Sequence, residues 1–284
     1  MSLALSPADQ AALVSRHQAA IDGSLKTKLT TIAVVAAMVA LFCYGVSTFE
    51  VTLWRILSGL GNLGTFVVLM LPPDPGSFAR ALIFVKALFE TIAIAFLGTI
   101  LAAILAFPLG FIAARNVVAN NIVHFLARRS LDTVRGVDAL IWALIWINVV
   151  GLGPFAGMLA IMTSDIGAFG KLYSEAIESA DRKPVEGVTS LGGGKLHEIR
   201  FGLVPQVLPV IASQVLYYIE SNTRSSTIIG IVGAGGIGLY LAETIRTLEW
   251  QQVSFLILLI LAAVTAIDFL SSKLRFAIIG KRAV

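Results

Sequence analysis

The chain has 284 residues, of which 57% are hydrophobic and only 13% are charged. Soluble domains carry about a quarter charged residues, so this composition excludes a water-soluble globule and indicates an integral membrane protein. The net charge is +4, and the basic residues flank apolar stretches instead of forming a stripe, which argues against nucleic-acid binding. The apolar stretches are about 20 residues long and lack the alternation of barrel strands. We therefore predict an all-α, polytopic membrane protein.

The N-terminal segment, residues 1–28, is polar enough to lie outside the membrane. Ser6, Pro7 and Asp9 have the pattern of a helix start, and Gly23 is a plausible end. We predict a short surface helix here. It is not a signal peptide, because the apolar region begins too late.

The first span is predicted at Leu29–Phe49, which contains no charged residue. Lys26 and Lys28 precede it, so the positive-inside rule places the N-terminus in the cytoplasm. The segment 51–76 is apolar but interrupted by glycines and an arginine. We interpret it as an external interfacial segment with Trp54 at headgroup depth; a second span is the alternative.

The remaining spans alternate with basic loops. They are predicted at Thr91–Ala114, 133–150, 155–176, Leu203–Ile229 and 252–271. With about six spans, both termini and the loops 115–135 and 177–202 are cytoplasmic, which puts most basic residues on that side. Residues 230–238 are predicted to be irregular backbone at the outer mouth. A further span there would place the basic C-terminus on the external side of the membrane.

Charged residues near the third span suggest ion pairs. Arg128, Asp132 and Arg135 are three to four apart and could form a paired row at its inner end. Asp138 would lie further into the span, where it needs a partner or water.

The fifth span contains an unusual group of polar side chains. Glu220 and Arg224 have the favourable order for an intrahelical ion pair, and Asn222 lies between them. These residues either line a pathway or form an ion pair at a subunit interface, and both interpretations stay open. The candidate pathway and gate residues are Tyr217, Glu220, Ser221, Asn222, Arg224, Ser225, Gly233 and Gly235.

Two glycine motifs could suggest nucleotide binding. The Gly192–Lys195 stretch lacks the glycine spacer and the following Ser or Thr of a P-loop. The GAGGIG stretch at 233–238 satisfies G-x-G-x-x-G, but it is flanked by membrane-type sequence instead of a strand and a helix. Cys43 is the only cysteine, and the three histidines are far apart. We predict no disulfide and no catalytic, cofactor-binding or metal-binding residue.

A polar, glycine-rich stretch, EGVTSLGGGKLHEIRFGLVP (Glu186–Pro205), lies between the fourth and fifth spans. Its composition predicts a helix, a glycine turn, a second helix, and Pro205 in the first turn of the next span. The spacing resembles the EAA signature of ABC importer permeases, with Gly187 and Val188 in place of the two alanines. That resemblance implies docking on an ATPase through the 177–202 loop. The implied coupling residues are Glu186, Gly187, Ser190, Leu191, Gly192 and Pro205.

The resemblance extends over roughly Thr91–Ile279. The stretches FPLGFIAARN, GLGPFAGMLAI, KLYSEAIESAD, LYYIESNTRSSTIIGIVGAGGIG and AIDFLSSKLR follow one another as in permeases of phosphonate-type ABC importers. This implies a type I importer permease (MetI-like) fold over residues 29–284 and a place in the bacterial inner membrane. It also implies a homodimer, two cytoplasmic ATPase subunits that bind ATP and Mg²⁺, and an external solute-binding protein.

The substrate implied by the resemblance is phosphonate or a related phosphorus oxyanion. Arg224, Asn222 and Ser225 would supply cationic and polar groups along its path. A methionine-type or other small-solute importer permease is the alternative. A secondary transporter is a further alternative, in which no ATPase would be needed.

Overall fold

The computed structural model describes residues 25–280 with the exception of residue 119. The surface helix predicted between Ser6 and Gly23 lies outside the described residues. Every regular element in the described part of the chain is helical. The chain divides into two compact units, with the boundary after Val67.

The first unit contains α1, Leu25–Thr48, and most of α2, Leu53–Leu69. The large apolar side chains of α1 are exposed, as expected of a helix that faces lipid. At 17 residues, α2 is apolar but shorter than the other candidate spans. The external interfacial position of residues 51–76 stays a prediction.

The second unit contains the remaining helices. Their bounds are α3 Phe78–Ala113, α4 Asn121–Arg135, α5 Ala139–Val150, α6 Pro154–Glu178, α7 Arg182–Ser190, α8 Lys195–His197, a π-helical segment Glu198–Leu203, α9 Val204–Ile231, α10 Ile237–Arg246 and α11 Trp250–Ile279. Two of these helices extend beyond their predicted spans by two turns or more. The second span was predicted to start at Thr91, but the Ser77 hydroxyl caps α3 by accepting from the Arg80 N–H at 3.2 Å. The last was predicted to end at residue 271, but α11 continues to Ile279.

One buried cluster of the second unit joins α3, α6 and α9, and α3 and α6 make its closest backbone contacts. Small residues bring the two backbones close together. A Cβ atom on Gly98 would lie 2.9 Å from the Ile161 side chain, and one on Gly110 would lie 2.7 Å from that of Tyr173. Close approach of this kind is how membrane helices gain packing energy without a hydrophobic driving force.

The third span, predicted at roughly 133–150, is not one continuous helix. Two helices, α4 and α5, cover this region and meet at an angle of 86°. The break follows from Gly136 and Asp138: Gly136 ends α4, and the Asp138 carboxylate caps α5 by accepting from the Leu140 N–H at 2.8 Å. Asp138 is therefore not a charge within a span, because its partner is a helix N-terminus.

By length and apolar composition, four helices of the described chain could cross a membrane, or five if α4 and α5 count as one span. The helix α6 has 25 residues but is not among them, because it includes charged residues such as Asp165 and Lys171. It packs against α3, α4, α5 and α9, so its polar groups meet protein. The predicted fold class, an all-helical polytopic membrane protein, is confirmed.

Candidate coupling loop and translocation path

The predicted coupling loop is a helix–turn–helix. Its first arm, α7, begins at the Asp181 carboxylate, which accepts from the Lys183 N–H at 3.1 Å. Gly192 then adopts a φ of +82°, a left-handed conformation that favours glycine. The N–H of Gly193 closes the turn on the Val188 carbonyl at 3.0 Å. The predicted helix, glycine turn and second helix are confirmed.

The second arm runs directly into α9. The short helix α8 and the π-helical segment lead into Val204 without an intervening turn. Pro205 lies in the first turn of α9, as predicted. The second arm and α9 are thus one continuous stretch of helical backbone.

Gln206 fastens the two arms together. Its side-chain oxygen accepts from the Asp181 N–H at 3.0 Å, and its side-chain nitrogen donates to the Asp181 carbonyl at 3.0 Å. Gly202 packs against Val185, where a Cβ atom would lie 3.0 Å from the Val185 backbone. Sequence reasoning missed Gln206, because nothing in the local pattern pairs it with a residue 25 positions earlier.

The loop presents an exposed surface. Glu186, Gly187 and Ser190 are exposed on α7. Leu191 is 91% exposed and Leu196 is 80% exposed, although both are large and apolar. Exposed apolar side chains on a polar loop are typical of a site that a protein partner covers.

A groove of 490 Å³ lies behind this surface. It is lined by both arms of the loop, including Val185, Glu186 and Ile199, and by Asn116 from the segment after α3. The Asn116 side chain donates to the Ile177 carbonyl at 2.8 Å, which ties that segment to the end of α6.

The ion-pair row predicted among Arg128, Asp132 and Arg135 is wrong, because Arg128 and Asp132 pair mainly with residues of α6. Arg128 pairs with Glu178 of α6 at 3.1 Å. Asp132 pairs with Lys171 of α6 at 2.8 Å and, more distantly, with Arg129 at 3.6 Å. The charges therefore join α4 to α6, because the amphipathic α4 lies along that helix.

The intrahelical pair predicted in α9 is confirmed. Arg224 Nη1 lies 3.2 Å from Glu220 Oε1. Arg275 of α11 adds a second contact, with its Nη2 3.4 Å from Glu220 Oε2. The Arg275 guanidinium also lies 5.9 Å from the centroid of the Tyr217 ring, within cation–π range. Sequence reasoning missed Arg275, since the last span was predicted to end before it.

The candidate pathway residues of α9 divide between two faces. Tyr217 and Arg224 are exposed in the single chain, and Ser221 and Ser225 are half-buried beside them. Asn222 instead points into the interior. Its amide nitrogen donates to Asp165 Oδ2 at 2.5 Å and to Thr99 Oγ1 at 2.8 Å.

The glycine-rich stretch after α9 is irregular backbone over 232–236, which is shorter than the predicted 230–238. Gly233 and Gly235 have φ values of +105° and +81°. The Gly236 N–H donates to Glu90 Oε1 at 3.1 Å, and the Ile237 N–H donates to Thr91 Oγ1 at 2.8 Å. These bonds fasten the start of α10 to α3.

A family model described as the inner membrane component of binding-protein-dependent transport systems matches residues 106–279. The chain belongs to this family. Among its relatives is HtxC of Stutzerimonas stutzeri, a permease protein assigned to a phosphite transport system. It is 39% identical over 257 residues, covering 90% of this chain and 89% of HtxC. The phosphite transport system permease PtxC of the same organism is 35% identical over 248 residues, covering 87% and 88% of the two chains.

A solved structure of the same fold is the inward-facing MetNI methionine ABC transporter. It matches this permease with a TM-score of 0.63 and 18% identity, covering 71% of this chain and 99% of that one. The predicted type I importer permease fold and membership of the phosphonate-type group of ABC permeases are confirmed. The curated relatives are transport permeases. The roles of the individual loop and pathway residues stay predictions.

Proposed function

We propose that this chain is the permease subunit of an ATP-driven importer for phosphonate, phosphite or a related phosphorus oxyanion. One observation carries the coupling half of this proposal. Helical backbone runs from Lys195, shortly after the exposed turn at Leu191, past the Gln206 fastening to Glu220 and Arg224. A force applied at the loop therefore reaches the charged stretch without passing through a flexible linker.

The loop is proposed to dock in a cleft of a cytoplasmic ATPase subunit. Leu191 and Leu196 supply apolar contacts, and Glu186 lies on the exposed face of α7. ATP and Mg²⁺ bind the ATPase, and its closure moves the loop and α9 together. This assignment puts both termini and the 177–202 loop in the cytoplasm, in keeping with the distribution of basic residues.

The substrate half of the proposal is supported by chemistry and by the phosphite permeases among the relatives. An anion crossing a low-dielectric region needs cations or donors along its path. Arg224 and Tyr217 are exposed on one face of α9, with Ser221 and Ser225 beside them. An external binding protein is proposed to deliver the oxyanion, and a second permease chain completes the path.

A matched pair of glycine substitutions tests the coupling role. Gly192 and Gly151 both have positive φ values, +82° and +91°, and neither would bring a Cβ atom within 4 Å of a neighbour. Alanine at either site therefore introduces backbone strain of about 1–2 kcal/mol without a clash. We expect Gly192→Ala to lower the amount of substrate transported per ATP hydrolysed or to prevent assembly with the ATPase. Gly151→Ala should leave both unchanged.

The measurement uses the complete importer in proteoliposomes with its binding protein. Equal coupling in the two variants would contradict a role for the loop. The same preparation separates the alternatives for the substrate. Uptake of methionine but not of phosphite or methylphosphonate would favour the methionine-type importer, and uptake that persists without ATP would favour a secondary transporter.

A further inference from the structure

Two arginines from different helices converge on one sheltered carboxylate. Arg224 Nη1 lies 3.2 Å from Glu220 Oε1, and Arg275 Nη2 lies 3.4 Å from Glu220 Oε2. Each guanidinium thus takes a different oxygen of the same anion. The site joins α9 to α11, and the Ser271 hydroxyl donates to the Leu216 carbonyl beside it at 3.0 Å.

Exposure differs between the cations and the anion. The side chains of Arg224 and Arg275 are 49% and 25% exposed, whereas that of Glu220 is 10% exposed. A ligand that reaches this face of α9 therefore meets the guanidiniums before the carboxylate. Asp268 also approaches Arg275, but at 4.0 Å and with 59% exposure it contributes little.

Each guanidinium has N–H donors that do not contact Glu220. Each contacts the carboxylate through one nitrogen, while an arginine presents five N–H donors in a planar fork. A fork of this kind matches two oxygens of a tetrahedral oxyanion. Two forks from two helices can therefore bind one phosphorus oxyanion.

We propose that Arg224 and Arg275 form an oxyanion-exchange site, in which the transported anion displaces the Glu220 carboxylate from the two guanidiniums. The inference rests on the proposed import of a phosphorus oxyanion and names where that anion is held. Glu220 occupies the site while no substrate is present, and it returns when the substrate leaves.

Exchange explains how a charged site can bind the transported anion and still release it. Removing one partner of a sheltered ion pair is costly, because the other charge is left without compensation. When one anion replaces another, both arginines remain paired, and the cost of an uncompensated charge falls on the displaced Glu220 carboxylate. Competition from Glu220 keeps the net affinity for substrate low, and a translocation path needs binding that is weak enough to permit exit.

The first test is Arg275→Gln in proteoliposomes that hold the complete importer and its phosphite-loaded binding protein. Phosphite transport should fall by about tenfold or more, the effect of losing one charge-assisted contact. ATP hydrolysis stimulated by the binding protein should remain. Arg275→Lys should give an intermediate rate, because it keeps the charge but lacks the fork.

The second test is Glu220→Gln, which removes the competing carboxylate. Equilibrium dialysis of the purified complex with radiolabelled methylphosphonate should show binding about tenfold tighter than in the wild type. A purely structural ion pair predicts no such gain.

Arg80→Gln is the matched control. Arg80 contacts Glu249 at 3.4 Å, the same separation as between Arg275 and Glu220, at a different place in the second unit. Arg80→Gln should keep wild-type transport. The exchange site is overturned if Arg275→Gln matches this control, or if Arg275→Gln and Arg275→Lys both lose transport and stimulated hydrolysis together. A wild-type importer that takes up methionine and no phosphorus oxyanion would instead overturn the proposed function itself, and the site with it.

Discussion

At the scale of single residues, Asn222 is the clearest junction in the second unit. One amide group connects three helices: it extends from α9, and it donates to Asp165 on α6 and to Thr99 on α3. All three side chains are buried. Asp165 has no ion-pair partner within the described chain, so the amide is its main compensation.

Exchanging the two side chains tests this junction. Asn222→Leu should destabilise the permease by about 1–3 kcal/mol, because it leaves the Asp165 carboxyl group without a donor. The double variant Asp165→Asn with Asn222→Asp restores an amide opposite a carboxyl group, so it should recover most of that loss. Thermal unfolding of the detergent-purified protein measures both. A double variant that is no more stable than Asp165→Asn alone or Asn222→Asp alone would show that the pair does not act as a unit.

At the scale of elements, the fastening between α7 and α9 determines how the loop moves. Gln206 bonds both polar backbone groups of Asp181, which fixes the start of α7 against the first turns of α9. A π-helical segment immediately precedes α9. Such segments are less regular than α-helix, so the fastening gives this region a rigidity that its backbone lacks.

Removing that fastening should weaken coupling without touching the substrate path. Gln206→Leu leaves the Asp181 N–H and carbonyl without their side-chain partner. We therefore expect less substrate transported per ATP hydrolysed, while the complex with the ATPase still assembles. Transport and ATP hydrolysis in proteoliposomes give this ratio. Gln251→Leu is the control, since Gln251 is exposed at the start of α11, and an unchanged ratio in Gln206→Leu would contradict the coupling role.

Local sequence patterns predicted much of this architecture. They could not predict contacts between residues that are far apart in the sequence. Glycine and proline spacing predicted the helix–turn–helix of the loop, and the four-residue separation predicted the Glu220–Arg224 pair. Asp165 and Thr99 are 57 and 123 positions from Asn222, so no local period connects them. Hydropathy also misplaced helix ends, because it detects where lipid begins while capping groups such as Ser77 and Asp138 determine where helices start.

At the scale of the whole molecule, one face of α9 suits a second permease chain. Tyr217, Arg224 and Ile228 lie on that face and are exposed in the single chain. An arginine turned towards lipid would be costly, whereas one turned towards a partner or a wet cavity is tolerated. The proposed function includes a second permease chain, and we propose that a copy of this chain covers this face.

Cysteine cross-linking tests the homodimer. Ile228→Cys is introduced together with Cys43→Ser, so that the new thiol is the only one in the chain. A twofold axis beside α9 brings two copies of residue 228 together, so oxidation in membranes should yield a covalent dimer of this chain. A product that forms only with a different co-expressed permease would show that the path is built from two kinds of chain.

The Glu220–Arg224 pair also has a consequence for biogenesis. Placing a charged residue at the centre of an inserting helix costs about 2.5–3.5 kcal/mol on translocon-based scales. The helices carrying Thr99 and Asp165 leave the ribosome before α9, so partners for Asn222 are already present. Arg275 is translated only afterwards. The partner four residues along its own helix therefore lets Glu220 enter the bilayer before the last span of the protein has been synthesised.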